Sequence, residues 1–321
     1  MDISTAKWNE IVIDEIATLI YSVKPAEMKS REATIERLQN WRQEVEDSSV
    51  MVLARTKGAL IGMLFLSRMS PTTMEINPGA LGGHPLVLAG HSPKEVGANL
   101  IKEAIAWSRK EGYQFLEIWL QRDREEDPQL SAEYQTWYGS LGFFLEGTSV
   151  DMVCYLSEQA VVEISMPAGF RVKPVMELSE DALYQCYYAA FNAGEAQFFF
   201  HQSEEERRAY FNTLGIRGSL NDEASLALMK EQQIVGFTFA LPYGKGNLHL
   251  SCNCIHPEFG QQGYGKLLLR LTMKKAAQLG MRTMTLFTDT EIRAYELYRK
   301  NGWREKKYYL KYRWSAGTHC F

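Results

Sequence analysis

The segment with the clearest chemical content is His256-Pro257-Glu258-Phe259-Gly260-Gln261-Gln262-Gly263-Tyr264-Gly265-Lys266, which follows an apolar run at 248–255 and opens a helical pattern. Glycines without Cβ let a backbone wrap an anion. The unpaired N–H groups of a helix's first turn then point at that anion, with the positive end of the helix dipole behind them. The spacing predicts a phosphate-binding turn. Two familiar phosphate loops fit it poorly. A dinucleotide fingerprint needs a third glycine where Leu268 stands, and an ATP loop needs a Ser or Thr hydroxyl where Leu267 stands.

A third loop fits. Ile255-His256-Pro257, then Gly260-Gln261-Gln262-Gly263-Tyr264-Gly265, then Leu267-Leu268-Leu269 resembles the acyl-CoA loop of the GNAT superfamily of N-acetyltransferases. Downstream, Glu291-x-x-Ala294-x-x-Leu297-Tyr298-x-x-x-Gly302-Trp303 resembles that family's second motif, in the family's order. The resemblance covers 170–314 well and the first half only by layout. It implies acetyl-CoA as co-substrate and no metal, with Cys254, Ile255, Gly260, Gln261, Gln262, Gly263, Tyr264, Gly265, Lys266, Glu291 and Ala294 along the CoA. Two positions depart from the pattern. Gly260 stands where the family usually has Arg or Gln, which removes a side chain but keeps the amides. Glu291 stands where Asn is common, so a polar contact to the pantetheine arm is altered.

Moving an acetyl group from a thioester to an amine requires a base for the ammonium proton, donors for a tetrahedral oxyanion, and an acid for the leaving thiolate. Strand alternation puts His249, Ser251, Asn253 and Ile255 on one face of 248–255 and Leu248, Leu250, Cys252 and Cys254 on the other. His249 lies six residues before Ile255, where members of the family place a Glu or His base, and imidazole titrates near working pH. A strand histidine that only makes a hydrogen bond is the competing reading. Tyr298 matches the family tyrosine that protonates the thiolate; a packing tyrosine is its alternative. A backbone N–H near Cys254 and Ile255 is the expected oxyanion donor. Direct attack is the family's route, which leaves Cys252 and Cys254 as buried thiols. Glu195, Gln197, Phe198, Phe199, Phe200 and His201, between two helical patterns, either line the acceptor groove or bury the helix pair.

These residues need a scaffold. In the second half the patterns read as strand 170–174, helices 179–191 and 203–214, strands 224–229, 234–241 and 248–255, helix 263–279, strand 283–287, helix 291–300 and strand 307–314. The first half shows helices at 11–23 and 35–45, strands at 50–55, 60–67 and 85–89, a helix at 94–110, a strand at 115–120 and a helix ending near 140. Tyr138 with Gly142-Phe143 repeats Tyr298 with Gly302-Trp303 at an offset of 298 − 138 = 160, about half of 321. The expected fold is therefore α/β (α+β): two tandem acyl-CoA N-acyltransferase folds, each a mixed, mostly antiparallel sheet flanked by helices. The expected division is a degenerate N-terminal domain at 1–157, a linker at 158–169, and a C-terminal domain with the acetyl-CoA site at 170–321.

Charge separates the copies. The whole chain has 35 Lys+Arg and 39 Asp+Glu, or −4. Residues 1–160 hold 15 and 23, a balance of −8, so 161–321 carry 20 − 16 = +4. The negative total argues against a nucleic-acid partner. From Lys266 to Arg313 there are 13 basic and four acidic residues, with Lys266, Arg270 and Lys274 on one helix stripe, as a phosphate-rich ligand requires. The matching loop in the first half is His91-Ser92-Pro93-Lys94-Glu95-Val96-Gly97. There Pro93 lacks an N–H and Glu95 adds a negative charge, so productive acetyl-CoA binding is not expected in that copy. The longest apolar run, 59–66, falls far short of the roughly 20 residues of a membrane span. Asp2, Lys7, Glu10, Asp14 and Glu15 break up the opening residues, so a cytoplasmic location is expected. The five cysteines, Cys154, Cys186, Cys252, Cys254 and Cys320, show no zinc spacing. The expected partners are a small-molecule or peptide amine acceptor, no nucleic acid and no membrane, with a homodimer as the assembly. A catalytically silent tandem protein that senses acyl-CoA or binds a partner is the alternative.

Overall fold

The first half begins with β1 (Asp2–Lys7), a short strand that the sequence patterns do not reveal. It continues with α1 (Ile13–Val23), α2 (Arg31–Glu44), β2 (Val50–Thr56), β3 (Ala59–Ser70), β4 (Thr73–Ile76), β5 (Leu86–Val87), α3 (Pro93–Lys110), β6 (Phe115–Arg122), α4 (Pro128–Ser140) and β7 (Phe144–Tyr155). The second half contains β8 (Phe170–Pro174), α5 (Glu180–Asn192), α6 (Glu204–Thr213), β9 (Leu226–Lys230), β10 (Gln233–Pro242), β11 (Asn247–Ile255), α7 (Tyr264–Gln278), β12 (Thr283–Asp289), α8 (Arg293–Arg299) and β13 (Arg304–Ser315). The computed structural model describes residues 1–24, 28, 30–44, 49–78, 81–122, 128–158, 164–194, 199, 203–215 and 219–317.

These elements form two compact units, Met1–Thr148 with Tyr308–Phe321, and Ser149–Lys307. Their composition differs from the division at 157 and 170. Each unit takes its last strand from the other half of the chain. In the first unit, Tyr308–Ser315 of β13 pairs antiparallel with β6 and completes the order β1-β2-β3-β4-β6-β13. In the second, Ser149–Tyr155 of β7 pairs antiparallel with β12 and completes β7-β12-β11-β10-β9-β8. β7 and β13 are each 12 residues long.

Both sheets are mixed and mostly antiparallel, with one parallel pair each, β4–β6 and β11–β12. The shared layout extends to detail. The turn after α4 closes with the Phe143 N–H donating to the Tyr138 carbonyl at 3.1 Å, and the turn after α8 with the Trp303 N–H donating to the Tyr298 carbonyl at 3.2 Å.

In the second unit, one sheet face packs α5 and α6 through Leu183, Tyr184, Tyr187 and Phe211 against Phe237, Phe239, Cys252 and Cys254. The opposite face packs α7 through Leu268 against Leu226, Leu228 and Val235. Burying these apolar stripes at about 25 cal/mol per Å² is the main force holding the layers together. Ser179 accepts from the Ala182 amide and Ser203 from the Glu206 amide, so α5 and α6 start where their capping residues predict. In the first unit Arg313 and Lys311 of β13 lie among Glu117 and Glu146: Arg313 Nε donates to Glu117 at 3.0 Å and Lys311 Nζ sits 2.7 Å from Glu146. All four charges are largely buried.

Candidate active site

β11 is paired with β10 along its length, but with β12 only at Asn247↔Thr283, Leu248↔Met284 and His249↔Thr285. Beyond His249 the two strands part while β11 continues to Ile255 and β12 to Asp289. The gap exposes one edge of β11. The His256 N–H donates to the Val235 carbonyl at 2.8 Å. Antiparallel alternation then turns the Cys254 and Cys252 amides toward β10 and the Asn253 and Ile255 amides toward the gap. The Cys254 amide is thus committed to the sheet and not open to an oxyanion, which corrects that expectation, while the Asn253 and Ile255 amides face the gap.

The expected sharing of a face by His249 and Asn253 is also corrected. Phe239 pairs with Cys252, whereas the next residue, Ala240, pairs with Leu250, so Ser251 is an extra residue in β11. Such a bulge shifts the alternation by one. His249, opposite Leu241, lies on the α5–α6 face with Cys252 and Cys254. Asn253, opposite Thr238, lies on the α7 face, where Thr238 meets Thr272 of α7 at 2.7 Å. The bulged Ser251 spends its hydroxyl on the Leu214 carbonyl at 2.6 Å.

Tyr298 is buried on the α7–α8 side with its hydroxyl 3.5 Å from Asn253 Nδ2. Burial pushes the phenol up to about 12, against a smaller opposing effect of the Asn253 amide, so it stays protonated at neutral pH. Asn253 Oδ1 is buried and has no hydrogen-bond partner among the described residues. On the other face, His249 Nδ1 lies 3.1 Å from Thr285 Oγ1. Burial lowers the imidazole pKa and Asp151 partly offsets that, which leaves a neutral ring at pH 7. Burial pushes the Cys254 thiol up, and a hydrogen bond to Cys254 together with burial pushes Cys186 up, so neither thiol is a thiolate at neutral pH.

The loop leads from β11 into α7. Pro257–Phe259 form one 3-10 turn, Gln261 and Gly263 take φ +60° and +86°, and α7 begins at Tyr264. Gly263 is the residue before the helix and offers no side-chain cap, so no side chain from that position covers the first-turn amides. The φ of Gly263 favours glycine, and no atom lies within 4 Å of where its Cβ would be. A Cβ on Gly265 would rest 3.6 Å from Leu297, which shows that the two sequence motifs pack together. Gln262 donates to the Glu258 carbonyl, and Lys266 is exposed at the rim. Arg270 is occupied by Asn301 Oδ1 at 3.0 Å, which leaves Lys266 as the better placed cation of the stripe. Ala294 lies partly buried and Glu291 exposed just ahead of and within α8. Phe199 is buried against Tyr187 and Tyr188 with Arg207 over its ring, the helix-burying alternative. Glu195, Gln197, Phe198, Phe200, His201 and Cys320 lie outside the described residues.

The first unit treats the same place differently. Between the pairs Leu66↔Ile76 and Met63↔Leu86 the ladder is interrupted, and the described residues 77, 78 and 81–85 leave it where the second unit has one bulged residue. Asn77, at φ +45°, accepts from the Phe65 amide at 2.7 Å and donates to the His84 carbonyl. Gly83 packs so tightly on the Trp119 carbonyl, just past the last β4–β6 pair, that no Cβ fits. His84 then meets Tyr138, the counterpart of Tyr298, with Nδ1 2.9 Å from the hydroxyl. At the start of α3, Ser92 accepts from the Glu95 amide at 3.2 Å and Pro93 has no N–H.

Residues 181–303 match the acetyltransferase (GNAT) family. This stretch of the chain is similar to GNAT acetyltransferases. The match spans the parted strands, the loop and Tyr298. Three solved structures share the fold over nearly the whole chain. A GCN5-related N-acetyltransferase from Sphaerobacter thermophilus is 18% identical, with 98% of this chain and 95% of that one covered at a TM-score of 0.64. A tandem GNAT protein from the clavulanic acid biosynthesis pathway is 12% identical, with 99% of each chain covered and a TM-score of 0.60. A GNAT-family acetyltransferase from Colwellia psychrerythraea is 12% identical, covering 98% of this chain and 100% of that one at 0.51. No curated protein matches in sequence. The tandem architecture expected from the internal repeat is therefore that of solved GNAT proteins. Among the described residues, no helix is long and apolar enough to cross a membrane, and no cluster of three or more metal-ligating side chains occurs.

Sequence reasoning missed Asn253, whose only signal is a polar side chain in an apolar run. It also missed Thr285 and Asp151, because residues from distant strands meet only once the sheet is assembled.

Proposed function

We propose that the chain is an N-acetyltransferase that moves an acetyl group from acetyl-CoA to a primary amine by direct attack, with the C-terminal GNAT copy active. The observation that carries this reading is the parting of β11 and β12 beside an uncapped helix start. The gap has Tyr298 on one face of the sheet and His249 on the other. The Tyr264, Gly265 and Lys266 amides, with Gly260, Gln261, Gln262 and Gly263 shaping the turn, fit a pyrophosphate, and Ala294 and Glu291 flank the continuation toward the gap. Acetyl-CoA supplies the activated acyl group.

The chain's own groups then have separate tasks. His249 donates Nδ1–H to Thr285 and accepts the ammonium proton at Nε2, directly or through water. The Asn253 and Ile255 amides steady the oxyanion as the C–N bond forms. When the C–S bond breaks, Tyr298 gives its proton to the sulfur and is reprotonated by the second proton that the nitrogen sheds as the amide forms. Of the two protons the ammonium loses, one therefore ends on His249 and the other, by way of Tyr298, on the thiol. In the first unit, the Ser92 cap and the 77–85 excursion fill the corresponding positions with the protein's own groups.

Release of CoA thiol from acetyl-CoA with a panel of amines and peptides tests the reading. Wild type should release thiol in an amine-dependent way, and a Gly263→Ala/Gly265→Val double variant should lose at least about tenfold in kcat/KM through KM for acetyl-CoA. Binding of acetyl-CoA by wild type with no release for any acceptor would replace catalysis with acyl-CoA sensing.

A further inference from the structure

The α5–α6 face of the second sheet carries an unusual set of side chains just beside His249. Because His249 pairs with Thr285, the side chains of Thr285, Phe287 and Asp289 share its face. β7 adds Asp151, opposite Phe287, and Ser149, opposite Asp289. Ser149 Oγ donates to Asp289 Oδ1 at 2.6 Å, which orients that carboxylate. Asp151 is near enough to raise the His249 pKa. Three aromatic side chains near His249 and these carboxylates are far more exposed than core aromatics: Phe287, paired with Asp151, at 43%, Tyr210 at 39% and Tyr243 at 61%. The Tyr243 ring centroid is 5.9 Å from that of His249. Burial pushes the Tyr210 phenol up, and Cys252 and then Asp289 add to it, so the phenol is within electrostatic reach of the Asp289 carboxylate. Behind it, Tyr187 is completely buried, its hydroxyl has no hydrogen-bond partner among the described residues, and the titratable groups acting on it are first Cys252 and then Tyr210.

Carboxylates between aromatic faces hold ammonium groups by charge and by cation–π attraction. Apolar ring surface between the charged points suits methylene groups. Strand spacing of about 4.8 Å and a rise of about 3.3 Å per residue put the His249 and Asp151 Cα atoms about 12 Å apart. Two side chains reaching inward leave a span near that of a four-carbon diamine, about 6 Å between nitrogens. We infer that the acceptor is a small aliphatic diamine or polyamine: one amine is presented to His249, its methylenes lie along Phe287 and Tyr243, and a distal ammonium is held by Asp151 and Asp289. This inference rests on the acetyltransfer reading. It adds that a strand from the chain's first half, β7, supplies one of the two specificity carboxylates.

The test compares acceptors of one length and different tail charge: 1,4-diaminobutane, butylamine and 4-aminobutyrate, with Nα-acetyl-lysine amide as the peptide-like amine. The expected result is kcat/KM for the diamine at least about tenfold above butylamine and the lysine amide, and further above 4-aminobutyrate. An Asp151→Asn/Asp289→Asn double variant should bring the diamine-to-butylamine ratio close to one through KM. A ratio near one in wild type, a preference for the lysine amide or for 4-aminobutyrate, or a preference unchanged in the double variant would overturn the inference. Calorimetry of spermidine binding to the full chain saturated with CoA supplies a readout independent of turnover. Aspartate-dependent binding without acetylation of any amine would sink the catalytic reading and leave the amine site standing. Acetylation of amines without tail selectivity would do the reverse.

Discussion

Tyr298 and His249 differ in what their surroundings do to them. A phenol held protonated to about pH 12 has a proton ready for a thiolate, and Tyr298→Phe should lower kcat about 10² fold while leaving acetyl-CoA binding within twofold by calorimetry. An unchanged kcat would return Tyr298 to a packing role. Burial depresses the His249 pKa, so its basic form dominates above a value lower than the ordinary 6.5. With that base required, kcat/KM should fall as pH drops through the depressed value, and His249→Gln should remove this acid limb. A pH–rate profile identical in the variant would take His249 out of the mechanism. The glycine turn before α7 and the helical setting of Tyr298 were legible in the sequence because turn and helix signals depend on local spacing. The face of His249 was not, because one extra residue at Ser251 reverses every side chain beyond it and leaves no mark in a run of alternating types.

At the scale of elements, the two copies diverge in the strand beside the gap and at the start of the helix that follows it. A one-residue bulge in β11 goes with a gap, while the 77–85 excursion in the equivalent strand closes the same place with Gly83 and His84. Burial pushes His84 down to about 4, so at neutral pH it is an uncharged ring against Tyr138 and Tyr134. Calorimetry with CoA should therefore find one equivalent per chain, and two equivalents would show that the excursion yields. Most strands and helices appear close to where apolar periodicity and capping residues put them, including α5, α6 and α7. β1, β4 and β7 were not visible. β1 and β4 are short, and β7 carries its alternation through polar residues such as Thr148, Ser149 and Asp151.

For the whole molecule, the repeat offset of 160 correctly indicated two copies of one layout, yet contiguous halves are not the structural units. Periodicity tells which residues form a strand but not which sheet receives it. The exchange has a measurable consequence. Deleting residues 308–321 removes the strand beside β6 and leaves Glu117 and Glu146 without Lys311 and Arg313. An uncompensated buried charge costs on the order of 3–5 kcal/mol, enough to unfold a marginal unit. Hydrogen exchange should show β6 amides unprotected in the truncated chain, and wild-type protection there would show that β13 is dispensable to the first unit. The same strand order bears on synthesis. A ribosome delivers the first unit's helices and most of its sheet before the second unit, but β13 emerges only after that unit. The unit begun first therefore waits for the other to be made, and until then its β6 edge is open to any other strand that reaches it.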